Sequence, residues 1–507
     1  LSVLKNGGKL PPKNRGEDLE KLPSYYGLIK SYEGKGSIHL SDGTKLDCDF
    51  ECGQNEEGDI IVGLNTDPSN YGVIGRGLDD SKFISRVSGE TSTGQWLEAS
   101  IAGWTDFTLS SSAFLVCYAK DLTVGKEPSV PPNALKSHLV NFKFVLPLSW
   151  HFRGYEITIK KVDGYDEIEK EMRATNRPKK TAELTVTSPS NHIVSISEVE
   201  DILHDICLLL SLAKGCRIQW LYWDAYSADN TLIRSRHWHG WSSPFSNWFI
   251  IFKMPPQDIS EYLSQVFEPY QDVQKEGIWR FDQAITHFVD TVSSENMLEL
   301  KSINLVVLTD YLTQLFAKHK KMNYFIERGS FADKKENLQD AVRKLLKDVF
   351  SQQDLVENEY LLEKKKGVKK TSKKKELNNI IFDQTVQEMG NVIECLNSRS
   401  FKSLLRRLQK DYLNLKVDAE ELDLFVKIRN KLVHEASFLD KDDFIDMKIP
   451  YEDPPKQYFR ILSLTSRILL AILKYRGYYH DWVKFKEGEY EGFGASGRVK
   501  MQYLEGW

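Results

Sequence analysis

Cysteine, long apolar runs and net charge are all scarce in this chain, and each scarcity excludes something. There are six cysteines among 507 residues. The one close pair, Cys48 and Cys52, lies in "KLDCDFEC", where apolar and acidic residues alternate. That alternation makes them neighbours on one face of a strand rather than metal ligands, so reduced thiols, a cytoplasmic setting and no metal site are expected. The longest apolar stretches, such as "CLLLSLA" at 207–213, fall far short of the roughly 20 residues a membrane helix needs, and no membrane association is expected. The opening "LSVLKNGGKLPPKNRGEDLEK" has no apolar segment and no cleavage pattern, so it does not read as a signal peptide. A net charge of −4 gives no global basic field, so any nucleic-acid role must rest on local patches. No glycine-rich phosphate loop or dinucleotide fingerprint occurs, and no cofactor is expected.

What is present divides the chain in two. Residues 1–23 are rich in Gly, Pro and Lys and read as a flexible segment. From there to 254 the pattern is β-rich, with two subdomains expected at about 24–135 and 136–254. "SIHLSDGTKLDCDF" is a hairpin signal, with Asp42-Gly43 between two alternating runs. Ser197 and Glu200 have capping-box spacing ahead of a helix that Gly215 ends. Pro255-Pro256 marks a boundary, and residues 258–477 have helical period. Asp453-Pro454 opens the last helix and Gly477 stops it. Residues 478–507 form an aromatic, Gly-rich extension. The fold class is therefore α+β, a β-rich N-terminal region followed by a helical bundle.

One basic tract interrupts the helices. Eight of the twelve residues from Lys364 to Lys375 are lysine: Lys364, Lys365, Lys366, Lys369, Lys370, Lys373, Lys374 and Lys375. Charge this dense repels itself, so 363–376 reads as a loop, either a solvated linker or an arm that attracts RNA phosphates.

The chemistry-bearing stretch is "VKIRNKLVHEASF", 426–438. Arg followed by His after four to six residues also occurs at Arg234–His239 and Arg280–His287, so spacing alone decides nothing. Context is more informative. On a helix over 418–438, Leu422, Leu424, Phe425, Val426, Ile428, Leu432 and Val433 share one arc, at about 100° per residue. Arg429 falls in the middle of that arc, where a lone guanidinium is costly without a partner. Asn430 and His434 are i and i+4 and share the polar face. Arg429 and His434 are about 140° apart, so one helix holds them badly against a single phosphate. Either a second copy completes the site or the helix frays at His434. The residue types suit metal-free RNA cleavage. Imidazole can take the 2′-hydroxyl proton, and a permanently charged guanidinium can hold the phosphorane oxygens. The plainer alternative is an Arg pairing with a neighbouring helix, and a surface His.

"IRNKLVHE", late in an all-helical region, resembles the R-N-x-x-x-H form of the motif in HEPN-domain ribonucleases. "ENMLELKSINLVVLTDYLTQLFAK", 295–318, resembles their long first helix, and the domain order is similar to that of the ApeA-type HEPN antiphage proteins of prokaryotes. The resemblance implies an all-α HEPN bundle over 258–477 and a metal-independent endoribonuclease acting as a homodimer. It also implies abortive infection through cleavage of structured RNA such as tRNA. It carries the catalytic roles onto Arg429, Asn430 and His434, and puts Asp310 where such first helices carry an acidic residue facing the motif. A phage-derived trigger or inhibitor protein is the implied regulator. The alternative is a non-catalytic dimeric module that binds nucleic acid or senses a ligand.

Five of the eleven tryptophans, Trp220, Trp223, Trp238, Trp241 and Trp248, cluster late in the β-rich region. With Arg234 and Arg236 they could stack on bases or line a ligand pocket, or simply form a core under a sheet. His237 and His239 form an H-x-H pair for which nothing nearby nominates a third ligand.

Overall fold

The structure is a computed structural model that describes residues 27–70, 83–109, 113–127, 132–143, 147–175, 177–188, 194–238, 240, 249–251, 256–324, 399–416, 418–483 and 498–504, with a few positions between 331 and 344. The flexible-segment reading of 1–23 and the lysine tract 363–376 lie outside these residues, as do His239, Trp241 and Trp248. The described residues divide into two compact units, within Leu1–Gln271, Asp282–Met297 and Leu473–Met501 for the first, and Asp272–Phe281, Leu298–Ile472 and Gln502–Trp507 for the second. The chain is mixed α+β, with strands early and helices later. Among the described residues no helix is long and apolar enough to cross a membrane.

The first unit begins with a closed barrel. Strands β1 (Leu28–Leu40), β2 (Lys45–Asn55), β3 (Ile60–Thr66), β4 (Ile84–Thr91), β5 (Trp96–Leu109) and β6 (Ala113–Val124) pair in the order β3-β2-β1-β4-β5-β6. A further β3–β6 ladder, Ile60 opposite Ala119 through Thr66 opposite Ala113, closes the ring and removes both edges. The hairpin signal at Asp42-Gly43 is the β1–β2 turn, with Gly43 at φ 88°. The inward positions, among them Ile38, Phe50, Val62, Val87, Leu97 and Leu122, form one core cluster. Cys48 and Cys52 belong to it, so the alternating pattern did mark one buried strand face. β1 and β4 approach closely at Gly36 opposite Gly89. A Cβ on Gly36 would lie 2.2 Å from the Ser88 carbonyl oxygen, so this crossing requires glycine.

At its far end β6, still paired with β5, exchanges β3 for β12 (Leu232–Trp238). From there the sheet continues through β11 (Gln219–Tyr226), β7 (Ala134–Val140), β10 (Lys180–Thr187), β9 (Tyr155–Lys161) and β8 (Leu148–Phe152). Helix α1 (Tyr165–Thr175) links β9 to β10 and was not visible in the sequence pattern. Helix α2 (Ile196–Lys214) packs against β11 and is buried along most of its length. Its N-cap is Ser195, which accepts from the Glu198 amide, not Ser197 as the spacing suggested. Ser197 lies inside the first turn, and the Glu200 carboxylate is occupied by Arg236 and Trp223 instead of the cap. Gly215 is the expected left-handed C-cap, its N–H reaching the Ser211 carbonyl.

The remaining helices among the described residues are α3 (Pro256–Glu276), α4 (Phe281–Ser293), α5 (Leu298–His319), α6 (Phe401–Arg407), α7 (Ala419–Glu435), α8 (Lys441–Met447) and α9 (Pro454–Ile472). α6 runs on into one π-helical turn, Leu408–Tyr412. Within the second unit α5 packs on α9, where the Thr309 and Thr465 hydroxyls hydrogen-bond at 2.9 Å, and α7 packs on α5, α6 and α9. α9 ends at Ile472, five residues before Gly477, because Lys474 turns into the left-handed region at φ 56°. The extension after it contributes a two-stranded ribbon, β13 (Tyr478–His480) with β14 (Arg498–Lys500).

Candidate functional site

Helix α7 carries the Arg–Asn–His motif. Asp418 caps it by accepting from the Glu420 and Glu421 amides, and Ala436 ends it in the left-handed conformation at φ 52°. The helix therefore runs through His434 without fraying, which removes the option that a frayed end swings the imidazole toward Arg429. Leu422, Leu424, Phe425, Ile428 and Leu432 are buried, as the apolar arc requires. Val433 departs from that arc and is 43% exposed.

Arg429 has the partner that its position demands. Its Nη2 donates to Asp310 Oδ2 on α5 at 2.8 Å, and its Nη1 donates to Asn430 Oδ1 at 3.1 Å. The guanidinium also lies 5.1 Å from the centre of the Phe401 ring, whose other neighbour is Phe425. Nε is shielded from solvent and bonds to nothing among the described residues. The four residues Asp310, Arg429, Asn430 and His434 thus split into an ordered half and an open half. Asp310 and Arg429 are half-buried and locked. Asn430 and His434 are exposed, and His434 has no hydrogen-bond partner among the described residues. Neutral imidazole can act as a base here, and the fixed guanidinium offers positive charge, but among the described residues the two do not converge on one phosphate. The role of Phe401 had no signal in the sequence, because an aromatic more than twenty residues upstream reads as ordinary core.

Beside this motif the second unit leaves apolar groups uncovered. Leu300, Val307 and Tyr311 of α5 are exposed, in order 46%, 51% and 37%, and recur on one helical stripe. Val433 lies between Arg429 and Asn430 around α7, so both helices present apolar and motif residues at their open faces.

The aromatic cluster of the first unit is split as well. Trp223 is fully buried and donates from Nε1 to Glu200 Oε1 at 2.8 Å, a core role. Trp238, 47% exposed, and Trp220 instead line a groove of about 540 Å³ beside α2. Arg236 lies over the Trp238 ring at 5.5 Å and holds both Glu200 oxygens at 2.8 Å. Arg234 does not reach the groove and pairs with Glu127 at 2.7 Å. Sequence reasoning missed Gln219 and Arg217, which also line it; an amide and a salt-bridged arginine carry no distinctive spacing.

His237 has a different fate from the ligand reading. It is fully buried, with Nε2 3.0 Å from the Tyr32 hydroxyl and Nδ1 3.0 Å from Gln54 Oε1. Beside it Lys30 reaches Asp224 at 2.5 Å and Ser235 at 3.1 Å, and lies over the Tyr222 ring at 4.7 Å. Burial drives the His237 pKa well below its usual value, and lowers that of Lys30 against the opposing pull of Asp224. Among the described residues no cluster of His, Cys, Asp or Glu has the arrangement of a metal site.

A family model described as the YopA central domain matches residues 136–249, which span β7 to β12 and most of the groove. No curated protein and no solved structure matches the chain.

Proposed function

We propose that the chain is a metal-independent endoribonuclease of the HEPN type, with residues 258–477 as its helical HEPN domain, acting in cytoplasmic antiphage defence of the ApeA kind. Arg429, Asn430 and His434 of two copies form the composite site, and Asp310 positions Arg429. His434 takes the proton from a ribose 2′-hydroxyl, and the freed oxygen attacks the adjacent phosphorus. Arg429 holds the non-bridging oxygens as their charge grows. The 5′-oxygen leaves with a proton from the second copy's His434 in its imidazolium form, giving a 2′,3′-cyclic phosphate and a 5′-hydroxyl. Structured RNA such as tRNA is the substrate class, the lysine tract supplies phosphate contacts, and a phage-derived protein is the trigger or the inhibitor.

The observation that carries this reading is the division of the motif. Arg429 is held rigidly by Asp310, while Asn430 and His434 stay open on a face with uncovered Val433. A half-built site beside apolar surface is what a twofold arrangement would complete. One observation favours a second reading. Two of the three Arg429 nitrogens are already bonded inside the protein, as in a structural ion pair, so the helical unit could dimerise and hold RNA without cutting it.

Purified protein incubated with total tRNA and EDTA separates the two. Cleavage that yields cyclic-phosphate ends and disappears in His434→Ala, with dimer mass unchanged, supports the nuclease. Undiminished cleavage by His434→Ala sinks the assignment of the site. Salt-sensitive RNA binding with no new ends supports the binding module.

A further inference from the structure

The groove in the first unit is built for one kind of guest, and none of its features depends on the nuclease reading. Its volume, about 540 Å³, suits a single small molecule. Trp220 and Trp238 give it aromatic surface, and the Arg236 guanidinium stacked 5.5 Å from Trp238 extends that surface.

Its two arginines are already paired. Arg236 is held by Glu200, and Arg217 holds both Asp290 oxygens through Nε and Nη2 at 2.6 and 2.7 Å. An anionic guest would have to displace one of these two-point pairs, so the groove is poorly suited to phosphate. It does have a polar demand. The Gln219 side-chain Nε2 is shielded from solvent and has no acceptor among the described residues. Gly240 lies against that amide, and a Cβ there would come within 2.6 Å of Nε2, so the glycine leaves the amide room to turn toward a guest. A shielded donor without an acceptor costs about 1–3 kcal/mol, which a guest bearing an acceptor would recover. Glu200 retains lone pairs beside Arg236 and Trp223 and can accept from a guest's amino group.

We propose that this groove binds a neutral nucleobase or nucleoside, stacked on Trp238 and read by Gln219 and Glu200. A planar ring with adjacent donor and acceptor atoms on its edge is what an amide and a carboxylate recognise together, as glutamine does with the purine N6/N7 edge.

The test is a calorimetric titration of the full chain with adenosine, guanosine, cytidine and uridine, each compared with its 5′-triphosphate, while tryptophan emission is followed. At least one nucleoside should bind and quench emission, and its triphosphate should bind about tenfold more weakly, a difference of one decade in Kd. Trp238→Ala and Gln219→Ala should each weaken that nucleoside about tenfold. Trp238 is half-exposed, so its variant should keep the wild-type unfolding temperature. Absence of heat and quenching with all four nucleosides at millimolar concentration overturns the proposal. So does tighter binding of the triphosphates, or unchanged affinity in a Trp238→Ala protein of normal stability.

Discussion

The buried cluster around Lys30 and the motif around Arg429 use similar residues to opposite ends. Each has a cation paired with an aspartate from another element, an aromatic ring beneath it and a histidine nearby. In the first unit every partner is closed in. Asp224 takes Lys30 and Ser235, and His237 has a bond on each ring nitrogen. In the second unit the pair Asp310–Arg429 is ordered, but the amide and imidazole that follow it face outward. Polar residues in a core must be satisfied to be tolerated, whereas those of a site are kept where something else can satisfy them. Hydrogen-bond accounting, more than residue type, distinguishes the two.

Acid should break the comparison most strongly. Burial lowers the His138 pKa to about 3 and that of His480 to about 4, and depresses His237 as well, all in the first unit. These rings stay neutral in the fold, while the unfolded chain protonates them near pH 6.5. Above that pH they leave stability unchanged. Below it the unfolded state binds more protons, and each histidine costs about 1.4 kcal/mol per pH unit until its folded pKa is reached. Urea midpoints measured from pH 7 to pH 4 should therefore fall for the transition of the first unit. A flat profile would show that these histidines are hydrated.

Next in size is Asp224→Ala, which strands Lys30 in a largely buried place. A loss of about 3–5 kcal/mol is expected by chemical denaturation, and pairing the change with Lys30→Met should restore part of it. Gly36→Ala drives a methyl into the Ser88 carbonyl and should cost about 1–3 kcal/mol. Asp310→Ala is the smallest in stability, about 1 kcal/mol, because the pair is partly solvated. In the proposed nuclease it should nonetheless lower cleavage, since Arg429 loses its anchor. Equal RNA cleavage by Asp310→Ala and wild type would leave the ion pair a structural role alone.

Much of this was legible in the sequence, and the failures have identifiable causes. The β1–β2 hairpin was visible because Asp-Gly between alternating runs has one economical geometry, and Cys48 and Cys52 followed from period two. The closed ring was not, because the β3–β6 ladder joins residues about fifty apart with no local mark. Arg429 in an apolar arc announced that it needed a partner, and Asp310 of α5 is that partner. Val433, in the same arc, is exposed because no described neighbour covers that part of α7. Ser197 and Glu200 had capping-box spacing, yet Ser195 caps the helix, because Glu200 is drawn to Arg236. A carboxylate offered two roles takes the charged partner, and no local rule sees that partner.

The return of the chain to its first unit after Ile472 has a consequence for synthesis. Tyr475 packs against Tyr262 at 5.4 Å, the Arg476 amide bonds Gln265, and the His480 amide bonds Ile250 at 2.7 Å. Those contacts wait for residues made some two hundred positions later than their partners. A ribosome therefore releases the whole motif helix α7 before the N-terminal unit has received its last pieces. Stop codons placed after 472 would yield a chain with the motif intact and its companion unfinished.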